Sequence, residues 1–186
     1  MSCHRTRPDQ LTLTAWHEAG HALVCAFYYG NVESVTIVPD GNILGKQQAR
    51  PCAHLTPEYV RFLRNTGYEE LSQGLAKHAI QWCLAGRAAE SVMLGRAVDW
   101  KGTPDFDNAN TLARACTPRG VNPLKYYESS LLCEWGNVRR WLKAHRPHLQ
   151  RVSDVLLARQ TISGAEFWDA IEELPPLCFP KCRVAR

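Results

Sequence analysis

The sequence predicts a mainly α domain with one small β-hairpin, and three observations carry that prediction. Apolar residues recur at three or four positions over most of the 186 residues. Cap residues and prolines open these periodic runs, and glycines close several of them. One window alone, Val32–Pro39 (VESVTIVP), is dense in β-branched residues, and Asp40-Gly41-Asn42 follows it as a turn signal. The length fits a single domain. An apolar fraction of 45% and a charged fraction of 22% are those of a globular protein and argue against disorder.

Each element follows from local chemistry. Thr14 is the expected N-cap of a first helix over about Ala15 to Tyr29, which Gly30 terminates. Val32–Pro39 and Ile43–Gln48 are the expected strands of the hairpin. Thr56-Pro57 opens a short helix that Gly67 ends. The longest helical run covers about Tyr68 to Leu94, with Leu71, Leu75, Ala79, Trp82, Ala89 and Met93 as its apolar stripe. Inside it, Ala85-Gly86-Arg87-Ala88-Ala89 gathers small residues, so another backbone can approach closely there. After a polar loop over Gly95–Gly102, Thr103-Pro104 opens a helix to about Cys116. Pro118, Gly120 and Asn122-Pro123 mark a second loop. Helices are expected over about Leu124–His145 and Pro147–Arg159, with Pro147 breaking the two apart. Ser163-x-x-Glu166 is a capping box for a last helix that stops before Pro175-Pro176.

Several function classes are excluded or left without support. The longest nearly apolar stretch, Ala19–Tyr29, contains His21 and falls short of the roughly 20 residues of a membrane span. The first ten residues lack the apolar core of a signal peptide, so a cytoplasmic location is expected. No G-x-x-x-x-G-K-[ST] loop occurs in these residues, so they hold no P-loop ATPase. A net charge of +4 is mild, and no nucleic-acid-binding module is recognisable. The eight cysteines follow no disulfide framework or zinc ribbon, and reduced thiols are expected.

One motif outranks the rest: His17-Glu18-Ala19-Gly20-His21, an H-E-x-x-H on a predicted helix. Residues four apart share a helical face, so both imidazoles can reach one cation. Glu18 lies about 100° around the helix from His17, beside that cation without being needed to bind it. Zinc suits the arrangement because it accepts imidazole nitrogen and keeps a position open for water. Glu18 is then the expected general base, taking a proton from the activated water. Two histidines make a weak site, so a third ligand must come from elsewhere in the chain. His4, His54, His78, His145 and His148 are expected to be structural or exposed.

The stretch Thr14–Val24 (TAWHEAGHALV) resembles the active-site helix of the FtsH-type zinc metalloproteases, membrane-anchored AAA+ proteases with a C-terminal peptidase domain. Val35-Thr36-Ile37-Val38-Pro39 and Leu44-Gly45 resemble that family's next strand and the edge strand after it. Ala85-Gly86-Arg87-Ala88-Ala89-Glu90 resembles its G-G-R-A-A-E-E helix, with Ala85 and Ser91 replacing a glycine and a glutamate. Asp105–Arg114 (DFDNANTLAR) resembles the segment carrying its third ligand, and Leu156–Phe167 its C-terminal helices. The matches keep family order from about residue 12 to 173. The resemblance implies residues 12–174 as the peptidase domain, after an extension over 1–11 and before a tail over 175–186.

The resemblance also implies a site: one zinc ion per chain held by His17, His21 and Asp105. Asp99 and Asp107 are the competing acids; Asp107 points about 200° away on the same helix and Asp99 lies in the loop. Glu90 is implied as the carboxylate that accepts the far N–H of a zinc-bound histidine, with direct ligation as the alternative. The strand over Ile43, Leu44, Gly45 and Lys46 is either a β-augmentation platform for an extended peptide or a plain protective hairpin. The implied activity is endopeptidase hydrolysis of unfolded or short polypeptides. The AAA+ motor is not among these residues, so an ATPase acting in trans is a candidate partner. The contrasting reading is an inactive peptidase-like domain that binds partners.

Overall fold

The computed structural model describes residues 8–39, 46–48, 57–118 and 120–175. In chain order the elements are α1 (Gln10–Tyr29), β1 (Ser34–Thr36), β2 (Lys46–Gln48), α2 (Pro57–Asn65), α3 (Glu69–Leu94), α4 (Pro104–Ala115), α5 (Pro123–Ala144), α6 (Arg146–Arg159), β3 (Thr161–Ser163) and α7 (Gly164–Ile171). The fold is mainly α, as expected. Among the described residues, no helix is long and apolar enough to cross a membrane.

Helix α1 starts five residues earlier than the Thr14 cap predicts. Asp9 is the N-cap, its Oδ1 accepting from Thr12 N–H at 2.7 Å, while Thr14 sits inside the helix and donates to the Gln10 carbonyl. Aspartate caps as well as threonine does, and with Asp9 in that place α1 gains a whole extra turn of hydrogen bonds ahead of Thr14. Gly30 closes the helix in the left-handed conformation (φ 63°), as its lack of a side chain permits.

Helix α3 is the axle of the domain and packs against α1, α2, α4 and α5; α6 covers another face of α1. Its burial differs from the stripe expected for it. Ala79 and Ala89 are buried as expected, but Leu71 is exposed and Leu75, Trp82 and Met93 are half-buried, and Ala76, Ile80, Cys83, Leu84, Ala85 and Ala88 complete the buried surface. The reason is that α3 is wrapped on several sides from Ala79 onward, so no single stripe describes it. Closely spaced small residues allow this. A Cβ added to Gly20 on α1 would lie 2.6 Å from the Ala85 carbonyl oxygen and 2.7 Å from the Ala89 Cβ. The two backbones therefore touch where the sequence places least bulk, as the cluster of small residues on α3 predicts. Leu23, Leu142, Leu149, Leu156 and Phe167 are fully buried in the core, each stabilising the fold by about 1.5–3 kcal/mol.

The sheet has a strand more than the predicted hairpin. Its order is β2-β1-β3, both pairings antiparallel, with Val35 opposite Gln47 on one side and Ile162 on the other. The third strand is three residues long and pairs across more than 120 residues of sequence, so no local pattern announces it. Val35 and Ile162 are both fully buried and seal the sheet onto the helices. Gln160, at φ 64°, turns the end of α6 into β3, and its carbonyl accepts from Ile37 N–H at 2.8 Å. The turn Asp40–Asn42 and the first half of the predicted second strand lie outside the described residues.

The remaining boundaries follow the cap signals. Thr103 Oγ1 accepts from Phe106 N–H at 3.2 Å at the start of α4. Ser163 and Glu166 form the reciprocal capping box of α7. Asn122-Pro123, read as loop, is instead the cap and first residue of α5, with Asn122 Oδ1 accepting from Leu124 N–H at 3.0 Å.

Candidate metal centre

Three elements bring the polar centre together. Helix α1 presents His17 and His21 one turn apart, α3 backs them, and the first turn of α4 delivers Asp105. The Nε2 atoms of His17 and His21 are 3.1 Å apart, and Asp105 Oδ2 lies 3.1 Å from the first and 3.4 Å from the second. Zinc at its usual 2.0–2.1 Å from nitrogen and oxygen donors, in tetrahedral geometry, sets neighbouring donors roughly 3.3–3.4 Å apart. The three edges agree with that to within about 0.3 Å, so these residues fit a single small cation. Among the described residues, His17, His21 and Asp105 are the cluster whose ligand atoms converge this way.

The far side of each ring is also held. His17 Nδ1–H donates to Glu90 Oε1 at 2.8 Å, and His21 Nδ1–H donates to the Trp82 carbonyl at 2.9 Å. With both Nδ1 atoms used as donors, both Nε2 lone pairs face the point shared with Asp105, the tautomer a cation requires. The ring of His17 rests directly on the backbone of α3 at Gly86. A Cβ there would lie 2.5 Å from its Cδ2 and Cε1, and closer still to Nε2. Glycine at this position is what gives the imidazole its room.

Charge is tightly coupled at the centre. Burial alone would lower His17, but its hydrogen bonds to Asp105 and Glu90, with the nearby Glu18 charge, push it up to about 9. Burial alone would raise Asp105, yet the same bonds and the two histidines hold its carboxyl well below the usual range. A site that prizes positive charge this strongly is prepared for a cation. Glu18 is buried beside the histidines and makes no hydrogen bond to the described residues. Burial pushes its carboxyl above the ordinary range, against the opposing pull of His21 and His17.

The other acids of the segment point elsewhere. Asp99 Oδ1 accepts from Lys101 N–H at 3.1 Å in the loop before α4, and Asp107 is exposed and outside the cluster. Lys46 opens β2, the edge strand of the sheet among the described residues, and its backbone pairs with Thr36. Ile43, Leu44 and Gly45 lie outside the described residues, as do His4 and His54. His78 stacks on Tyr28 at 4.1 Å between ring centroids, and His145 and His148 are buried against the Trp141 and Pro175 carbonyls.

Two contributors were not singled out from the sequence. The Trp82 carbonyl is a backbone atom, so no residue type could announce it. Arg87 donates to Glu90 Oε2 at 2.5 Å and to the Asp99 carbonyl. Its i,i+3 spacing from Glu90 was the readable signal for the first of these bonds.

The model of peptidase family M41 matches residues 5–119, which include α1, α3, α4 and every residue of this centre. The FtsH ATP-dependent zinc metalloprotease of Thermus thermophilus is 26% identical over 90% of this chain and 30% of its own length. FtsH 1 of Symbiobacterium thermophilum, also described as an ATP-dependent zinc metalloprotease, is 31% identical over 87% of this chain and 29% of its own. FtsH of Rickettsia prowazekii is 34% identical over 60% of this chain and 16% of its own. The chain thus spans 30% or less of the length of these relatives. With a matching family model over most of its length and a two-histidine, one-aspartate cluster inside the matched region, the chain belongs to peptidase family M41.

Proposed function

We propose that residues 12–174 form a zinc-dependent endopeptidase domain, with 1–11 as an extension and 175–186 as a tail. The observation that carries this reading is the convergence of His17 Nε2, His21 Nε2 and Asp105 Oδ2 beside a buried, unengaged Glu18. The packing of α5 on α3 and of α6 on α1 supports a domain that extends past the family match.

In this reading His17, His21 and Asp105 hold one zinc ion. Zinc bound there supplies a Lewis acid for a peptide carbonyl and lowers the pKa of water from about 15.7 toward 7. Glu18 takes the proton from attacking water onto its carboxylate and passes it to the departing amine nitrogen. Glu90 and the Trp82 carbonyl keep the imidazoles aimed, so the ligand set need not reorganise during the reaction.

The substrate is an unfolded or short polypeptide, laid in extended form along the segment that holds Ile43, Leu44, Gly45 and Lys46. The position of β2 at the edge of the sheet among the described residues supports this, because an edge strand can pair with a further strand. The relatives are named ATP-dependent. An ATP-driven unfoldase, in the same polypeptide or a separate one, therefore completes the reading by delivering stable substrates as extended chain. The thiols of Cys83 and Cys116, buried in the core, accord with a reducing, cytoplasmic location.

The test is a peptidase assay on an unstructured, casein-like substrate alongside zinc analysis. One zinc per chain is expected, with cleavage abolished by a chelator. Glu18→Gln is expected to keep zinc and lose about 10²–10⁴-fold in rate. Zinc-loaded protein that leaves casein and peptide libraries intact, with Glu18→Gln changing nothing, would refute the reading in favour of a binding domain.

A further inference from the structure

We infer that Arg87 is a positioning residue that ties the support of His17 to the loop that delivers Asp105. The inference rests on the zinc reading above. A carboxylate that holds a histidine through one oxygen can still swing about its own axis unless its second oxygen is also engaged. Glu90 gives Oε1 to His17 at 2.8 Å, and Arg87 takes Oε2 at 2.5 Å. The same guanidinium turns its Nε toward the Asp99 carbonyl at 3.2 Å and adds its other terminal nitrogen to that oxygen. Asp99 lies in the loop that runs into Thr103, the cap of α4, and so into Asp105.

One planar fork therefore sets two of the three ligand positions from a single root on α3. The third is independent of it, because His21 is aimed by the Trp82 carbonyl. Arginine is the side chain that can do this. Its five donors leave a rigid plane in several directions, whereas a lysine ammonium reaches one acceptor at a time from a flexible stem. The loop has further anchors, since Trp100 stacks on Trp135 at 5.1 Å and meets Phe106 at 5.4 Å. Those aromatic contacts hold the loop onto α5 and α4, and Arg87 holds it to the metal-supporting face of α3. The Arg87 side chain is 29% exposed. Water can replace it at the Asp99 carbonyl and at Glu90 Oε2, so its loss moves the centre without unfolding the domain.

The experiment measures zinc affinity by competition with a chromophoric chelator, and cobalt(II) absorption as a report of coordination geometry. The set is the full chain, Arg87→Met, Arg87→Lys, Glu90→Ala and the Arg87→Met/Glu90→Ala double variant. Arg87→Met is expected to weaken zinc about 10- to 100-fold and to alter the cobalt bands, at unchanged helix content. Arg87→Lys recovers part of this loss. In the Glu90→Ala background Arg87→Met still weakens zinc several-fold, because the tie to the Asp99 loop is lost as well. Should Arg87→Met not fold, the Arg87→Lys variant alone carries the comparison. Zinc affinity within twofold of the parent, with unchanged cobalt bands, overturns the inference while leaving the peptidase reading intact. An additional loss of zero on top of Glu90→Ala overturns the coupling to the loop. Failure of the unmodified chain to bind zinc overturns both readings together.

Discussion

Replacing Gly86 by alanine tests the geometry of the centre at its least forgiving point. The added Cβ would stand 2.5 Å from Cδ2 and Cε1 of His17, where an ordinary contact needs about 3.4 Å or more. The ring must retreat by about 0.9 Å at those carbons, and Nε2, which lies closer to the added atom, by more. Ligand distances in a working metal site tolerate only about 0.2 Å. His17 therefore leaves the ligand set or drags α1 away from α3, and both weaken the site. A misplacement of about 1 Å costs on the order of 10²-fold in rate, equivalent to about 2.7 kcal/mol. Zinc affinity is expected to fall at least 100-fold, measured by chelator competition. Stability changes less, because overpacking of about 1–3 kcal/mol is offset by about 1 kcal/mol of helix propensity gained over glycine. Gly74 supplies the control. It lies in the same helix with nothing within 4 Å of an added Cβ, so Gly74→Ala should raise thermal stability and leave zinc binding unchanged. If Gly86→Ala binds zinc within threefold of the parent, the close approach of His17 to α3 is not what organises the centre.

Three further outcomes follow from the same contacts. In protein freed of metal by a chelator, His17 carries a proton with its pKa raised to about 9. Its contribution to stability is fully present below about 6.5 and fades as pH rises through 9. Thermal melts of that protein should therefore drop in midpoint over this window, and zinc affinity should climb over it as the competing proton leaves; flat profiles would contradict the assignment. Thr103→Ala removes the cap of α4 and a bond to the Trp100 carbonyl. It should cost about 1 kcal/mol in a denaturant titration and weaken zinc through Asp105. Phe167 is fully buried where α7 meets the core, and Phe167→Ala should destabilise by about 3–5 kcal/mol, read from the same titration.

The legible part of this protein is the part governed by near neighbours in sequence. The spacing of His17 and His21 puts both rings on one face of α1 whatever the rest of the chain does. The capping chemistry of Thr103 and of Ser163 with Glu166 marks two helix starts correctly, because a cap bond closes within three residues. Thr14 has the residue type of a cap but lies inside α1, and Asp9 makes the cap bond more than a turn earlier. The small residues from Ala85 to Ala89 announced a close approach, and Gly20 on α1 meets it. Which of Asp99, Asp105 and Asp107 faces the histidines rested on a family resemblance, and the position of α4 against α3 brings Asp105 alone to them.

By itself, then, the sequence determined the helical class, the paired histidines with their intervening glutamate, and most of the points where helices begin. Tertiary structure decided which atoms meet: the His17 ring on Gly86, the Trp82 carbonyl behind His21, the Arg87 fork between Glu90 and the Asp99 loop, and β3 against β1. The contacts of His17, His21 and β3 join residues from 61 to more than 120 positions apart, whereas Arg87 meets Glu90 three positions on within α3 and the Asp99 loop twelve on. The distant contacts are set by how whole helices pack, with α3 enclosed on several sides, and no hydrogen bond or periodicity within a single segment encodes them.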